Sequence, residues 1–176
     1  MLAKFSNCCK MKIFLIGMPG SGKTTLGKEL AEHLHIDFVD LDAEIEQAEQ
    51  RSIPEIFSQH GEAHFRVVEA RLLREWAANP ASFVMATGGG APCFHNGIEV
   101  INEYGVSVFL DCPVSTLVDR VKKNKDRPLL MASDEQELTE KLEKITRERQ
   151  HCYGKAKISL RNPSLGDLLK NIHPRS

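Results

Sequence analysis

Gly17-Met18-Pro19-Gly20-Ser21-Gly22-Lys23-Thr24 has the spacing G-x-x-x-x-G-K-[ST], and its flanks decide the fold. Ahead of it, Lys12-Ile13-Phe14-Leu15-Ile16 reads as a buried strand; behind it, residues 25–34 read as a helix. A strand, a glycine loop and a helix in that order form a P-loop. Its backbone N–H groups turn inward around a polyanion, which needs glycine where φ is positive or where a side chain would clash. The helix N-terminus adds a favourable dipole. The motif implies a nucleoside triphosphate with Mg2+, bound by Gly20, Ser21, Gly22, Lys23, Thr24 and Thr25, with Lys23 on the β and γ phosphates and the Thr24 hydroxyl on the metal.

Outward from the motif, Leu26, Leu30, Ala31 and Leu34 recur at helical spacing and predict a helix packed on a sheet. Residues 36–41 read as a strand carrying Asp40 and Asp42, which point the same way while the chain stays extended. Ser52-Ile53-Pro54-Glu55 is a capping-box pattern opening a helix that Gly61 breaks or bends. A longer helix over 62–77 carries the stripe Phe65, Val68, Leu72 and Trp76, leaving Arg66 and Glu69 three apart on a neighbouring face. Periodicity alone favours Arg66 as a surface arginine paired with Glu69.

Residues 82–87 predict a third strand ending in Gly88-Gly89-Gly90, where close backbone approach to another group explains three glycines better than a plain turn. A short helix over 96–104, a strand over 106–110 and a helix opened by Pro113 follow. Residues 122–134 lack periodicity, contain Arg127-Pro128 and suggest a lid. A long helix over 135–152 turns Leu138, Leu142 and Ile145 to the core and places Arg149 near the same face. Residues 156–160 complete the strands and 164–172 a closing helix. This β-α alternation predicts an α/β, three-layer P-loop kinase fold: a five-stranded parallel sheet, helices on both faces and a mobile lid. Ligands bind beyond the carboxyl ends of such strands, so the glycine motifs and the aspartates converge on one edge.

The chain has 176 residues, the length of one domain over 1–176. Its 23 Lys and Arg nearly balance 24 Asp and Glu, which gives no electrostatic reason to expect nucleic acid or an anionic membrane as partner. Five cysteines, Cys8, Cys9, Cys93, Cys112 and Cys152, show no C-x-x-C spacing and read as reduced thiols of a cytoplasmic protein. Cys93 and His95 lack the second pair that a zinc site needs. Residues 1–10 have no apolar segment of signal-peptide type and read as an extension before the first strand.

Taken together, from residue 12 to residue 172, these motifs resemble the shikimate kinase family. The resemblance rests on the P-loop, Asp40-x-Asp42, Gly61-Glu62 with Phe65-Arg66 and Glu69, Gly88 to Gly90, Arg127-Pro128-Leu129-Leu130, Arg149 four before Tyr153, and Arg161-Asn162-Pro163. It implies transfer of the ATP γ-phosphoryl group to the 3-hydroxyl of shikimate, on the route to aromatic amino acids, in a cytoplasmic monomer. It also implies roles. Asp40 helps to hold Mg2+ with Thr24, while Asp42 binds the shikimate hydroxyls and accepts a proton during attack. Arg66 and Arg149 grip the shikimate carboxylate, Glu69 orients Arg66, and Gly88, Gly89 and Gly90 bring backbone to the ring. Lys23 and Arg127 act on the transferring phosphoryl group; Arg120, Arg161 and Pro163 lie near adenine. The family's R-x-P-x-Y pattern stands here as Arg149-Gln150-His151-Cys152-Tyr153, without its proline, so Arg147 competes with Arg149 for the carboxylate. Other readings are a kinase for gluconate or a nucleoside monophosphate, and a nucleotide-binding regulator that has lost catalysis.

Overall fold

The structure, a computed structural model, describes residues 11–122 and 134–172. The expected N-terminal extension, with Cys8 and Cys9, and most of the expected lid, with Arg127, lie outside the described residues. In chain order the elements are β1 (Lys12–Ile16), α1 (Lys23–Leu34), β2 (Asp37–Asp40), α2 (Leu41–Glu49), α3 (Ile53–Ala78), β3 (Phe83–Ala86), α4 (Gly97–Tyr104), β4 (Val106–Asp111), α5 (Val114–Lys122), α6 (Glu135–Tyr153), β5 (Ile158–Arg161) and α7 (Leu165–Ile172).

The five strands form one sheet in the order β2-β3-β1-β4-β5, every pair parallel. Both faces of its central strands are apolar because both are covered. Along β1, Phe14 and Ile16 join the core beneath α2 to α6, whereas Ile13 and Leu15 join the one beneath α1 and α7. The same alternation sends Phe83 and Met85 of β3 to the first core and Val84 to the second. The chain leaves β1 towards β2 and leaves β3 towards β4, so the crossovers diverge between β1 and β3. A crevice opens at such a point, at the carboxyl ends of the strands. The P-loop follows β1 and the triple glycine follows β3, so both border it.

Two local features were legible in advance. The capping box forms: Ser52 donates from its backbone N–H at 2.8 Å and from its hydroxyl at 2.6 Å to the Glu55 carboxylate. Gly61, at φ 77°, bends α3. The region after β2 differs from expectation. The chain does not stay extended through residue 42; it turns into α2 at Leu41, whose side chain is buried with Ile45 one turn later. Asp40 stops the strand because its carboxylate accepts the Asp42 N–H at 3.1 Å and caps the new helix. Among the described residues no helix is long and apolar enough to cross a membrane.

Candidate active site

The loop between β1 and α1 is shaped by backbone that only glycine adopts readily. Gly20 has φ 84° and Gly22 φ 96°, which directs the intervening amides to one side. Lys23 donates from Nζ to the carbonyls of Gly17 and Met18, both at 2.9 Å, so the loop is braced by the cation that the motif supplies. The hydroxyl of Ser21 is buried with no hydrogen-bond partner in the structure. A buried donor left unmatched is costly, and a phosphate oxygen in the cradle satisfies one.

The cleft at this edge holds about 680 Å³ and is lined by Gly20 to Thr25 together with Asp40, Asp42, Thr87, Gly89, Arg120 and Pro163. That is the size range of small-ligand sites. Arg120 lies across one end and donates to the Gly20 carbonyl at 3.2 Å. Asn162 and Pro163, at the exit of β5, form the adjacent wall; the Asn162 N–H donates to the Asp111 carbonyl at 2.7 Å. Arg161 is exposed at the end of β5, and it is its neighbours that line the cleft.

Thr24 donates from Oγ1 to Asp40 Oδ2 at 2.9 Å, joining the start of α1 to the start of α2. Two hard oxygen donors beside a phosphate cradle suit Mg2+, which binds through one or two protein oxygens and completes its shell with water and phosphate. Among the described residues no group of three or more His, Cys, Asp or Glu could form an all-protein metal site. Asp42 shares the cleft with Asp40 because α2 begins between them, and not because the strand continues.

The far wall is built on the triple glycine. Arg66, expected at the surface, is only 5% exposed. Its guanidinium donates to Glu69 at 2.7 Å and to Glu62 at 3.0 Å and lies over two rings, Phe94 with its centroid 4.4 Å from Cζ and Phe65 at 5.1 Å. Glu69 is 1% exposed, and burial pushes its carboxyl above the usual range despite the opposing charge of Arg66. Its second oxygen, Oε1, has no hydrogen-bond partner in the structure.

A side chain on any of the three glycines would crowd what abuts it. A Cβ on Gly88 would lie 2.5 Å from Glu69 Oε1 and 3.0 Å from Asp42 Oδ1; one on Gly89, 3.0 Å from Arg149 Nη1 and from Pro19; one on Gly90, 2.5 Å from Arg66 Nη1. The close approach expected here is therefore real, and the groups approached include both arginines. Arg66 from α3 and Arg149 from α6 rest on consecutive residues of one loop, and two guanidiniums so placed can hold a planar anion by its edges. Arg147 faces away, 72% exposed and 3.7 Å from Glu143.

Tyr153 closes the base of this wall. It is buried, stacks on Phe109 at 4.8 Å and donates its hydroxyl to the Gly89 carbonyl at 2.6 Å. Burial raises its phenol above the usual range, so it remains a donor. One expectation is corrected. Cys93 and Cys152 are not separate thiols; they are bridged, with Cα atoms 5.3 Å apart. Residues 59 apart in sequence give no spacing signal of that contact. Of the wall residues given no role beforehand, Asn162 stood inside the Arg161-Asn162-Pro163 motif, whereas Phe94 and Thr87 carried none; only the loop's position after the triple glycine could have pointed to Phe94.

A family model described as shikimate kinase matches residues 19–165. A shikimate kinase of Bacteroides fragilis is 42% identical over 147 residues, covering 83% of this chain and 82% of its own length. One from Novosphingobium aromaticivorans is 42% identical over 151 residues, covering 84% and 77%. Among solved structures, the Acinetobacter baumannii shikimate kinase in complex with shikimate superposes with a TM-score of 0.85 at 34% identity, covering 93% of this chain and 91% of that one. The shikimate kinase of Aquifex aeolicus gives 0.74 at 32%, covering 92% and 93%.

Proposed function

Because the chain belongs to the shikimate kinase family, we propose that it transfers the γ-phosphoryl group of ATP to the 3-hydroxyl of shikimate, with its residues dividing the task between two walls of one cleft. The observation that carries the acceptor half of this reading is the seating of Arg66 and Arg149 on consecutive glycines, with Asp42 against the preceding Gly88. A carboxylate bearing hydroxyls matches two guanidiniums and one carboxylate; a bare sugar leaves the arginines unmatched.

In this reading the P-loop amides, Ser21 and Lys23 bind the triphosphate, and Arg120 and Pro163 flank the nucleotide base. Thr24 and Asp40 hold Mg2+, which when bound neutralises charge on the β and γ phosphates. Arg66 and Arg149 hold the shikimate carboxylate and thereby fix the ring. Asp42 then accepts hydrogen bonds from the ring hydroxyls, aligns the 3-hydroxyl with the γ-phosphorus and takes its proton as the O–P bond forms. Lys23, and by the family pattern Arg127, stabilise the negative charge spread over the transferring group. Phosphoryl transfer depends on positioning and charge far more than on covalent help from the protein, and this arrangement supplies both. The enzyme acts as a cytoplasmic monomer of one domain, without nucleic-acid or membrane partner.

A coupled assay of ADP release with shikimate, gluconate and nucleoside monophosphates tests the reading. Turnover with shikimate alone, lost on chelation by EDTA and restored by Mg2+, is expected. Preference for gluconate or a nucleotide overturns the acceptor assignment, and ADP release that persists in EDTA overturns the metal assignment.

A further inference from the structure

Arg66 is held at its edges by Glu69 and Glu62 and rests on Gly90, and it is also met by an aromatic side chain from another part of the chain. Phe94 lies with its ring centroid 4.4 Å from the guanidinium carbon, nearer than Phe65 of the same helix. It is a large apolar residue left 39% exposed, next to a charged group that is almost wholly buried. Its ring belongs to neither apolar core and lies against the cation.

The segment that carries Phe94 is anchored at both ends. Ala91 donates to the Gly88 carbonyl at 3.2 Å and Cys93 to the Gly90 carbonyl at 2.8 Å, and Gly97 donates to the Phe94 carbonyl at 2.9 Å. The Cys93–Cys152 bridge ties the residue before Phe94 to α6, three residues after Arg149. The loop that receives both arginines on its glycines thus continues into the ring that covers one of them.

We propose that Phe94 is a positioning residue for the shikimate carboxylate: by stacking on the guanidinium face it holds the plane of Arg66 and keeps water from it, leaving the N–H edge to the substrate. Face and edge are separate resources of a guanidinium, so a cation–π contact does not compete with hydrogen bonds to a carboxylate. Removal of water from the face also strengthens the charge-assisted bonds made at the edge. The proposal rests on the acceptor assignment given above.

The test is steady-state kinetics of Phe94→Leu and Phe94→Tyr, with shikimate binding measured by calorimetry in the absence of nucleotide. Leucine keeps apolar bulk and removes the ring. In Phe94→Leu the KM and Kd for shikimate should rise about two- to five-fold, the scale of a partly exposed cation–π contact. The ATP KM and kcat should move by less than a factor of about two. Phe94→Tyr keeps a ring over the cation and should recover wild-type shikimate affinity. Unchanged shikimate affinity in Phe94→Leu overturns the proposal, as does an equal loss in Phe94→Tyr or a parallel rise in the ATP KM, which marks general disruption of the fold. A wild-type enzyme that turns over shikimate while Phe94→Leu binds it normally refutes the role of Phe94 alone; a wild-type enzyme inert to shikimate refutes the acceptor assignment with it.

Discussion

The two arginines nearest the proline-less segment differ in what surrounds them, and that difference is measurable. Arg149 abuts Gly89 and stands beside the Tyr153 hydroxyl, whereas Arg147 extends into solvent next to Glu143. A charge-assisted hydrogen bond contributes roughly 1.5 to 3 kcal/mol, or about 10- to 100-fold in affinity. Arg149→Ala should therefore raise the shikimate KM by that factor with the ATP KM little changed, while Arg147→Ala should leave both near wild type. Steady-state kinetics on the pair decides, and a defect confined to Arg147→Ala would transfer the carboxylate to the wrong residue in our reading. Glu69 supplies a second test at this scale. Burial pushes its carboxyl above 4.5, with Arg66 and Arg149 opposing the shift and Asp42 adding to it. The native state then binds more protons than the unfolded chain between pH 4.5 and the raised native value. The stability linked to this group is fully present below 4.5 and is lost as pH rises through that native value. Relative to Glu69→Gln, which does not titrate, the wild-type protein should gain unfolding free energy as pH is lowered through the window. Urea titrations at several pH values provide the measurement, and a pH-independent difference contradicts the assignment.

Among the elements, the loop after β3 and the C-terminal end of α6 act as one unit. Tyr153 donates to the Gly89 carbonyl, Arg149 packs on Gly89, and Cys152 is bridged to Cys93. The bridge spans 59 positions of sequence, and closing a loop of that length restricts the unfolded chain by about 4 kcal/mol in the chain-entropy model. For a protein of this size that corresponds to a fall in Tm of roughly 10 °C on reduction. Thermal melts with and without dithiothreitol should show this fall in the wild-type protein and none in Cys93→Ser, which already lacks the bridge. Equal melting of the wild-type protein in both conditions means that the two cysteines are thiols in solution. The shikimate KM should rise on reduction more than the ATP KM, because the bridge joins the two elements that hold Gly89 and Arg149, whereas the P-loop is carried by β1 and α1.

For the molecule as a whole, the five-stranded parallel sheet brings the cleft together by topology. Crossovers that diverge between β1 and β3 place the P-loop and the triple glycine side by side, and Pro19 meets Gly89 where the two loops touch. Much of this was legible beforehand. Apart from α2, which the sequence reading did not anticipate, strand and helix order followed from hydrophobic periods, the P-loop from its glycines, and the bend at Gly61 and the start of α3 from residues adjacent in sequence. These are local properties: the backbone conformation of Gly20 or the capping of Ser52 by Glu55 depends on neighbours a few positions away. Where tertiary contacts compete, the sequence was a poorer guide. Asp40 and Asp42 reach one cleft through a helix cap that an alternating strand pattern conceals. The chain by itself determined the nucleotide cradle, the layer order and the family. Only the tertiary structure decided that Arg66 is buried, that Arg149 and not Arg147 faces the glycines, that Cys93 meets Cys152, and that Phe94 covers a guanidinium. Each of those contacts joins side chains from different elements, whose adjacency is set by how the helices pack on the sheet and leaves no spacing in the sequence to read.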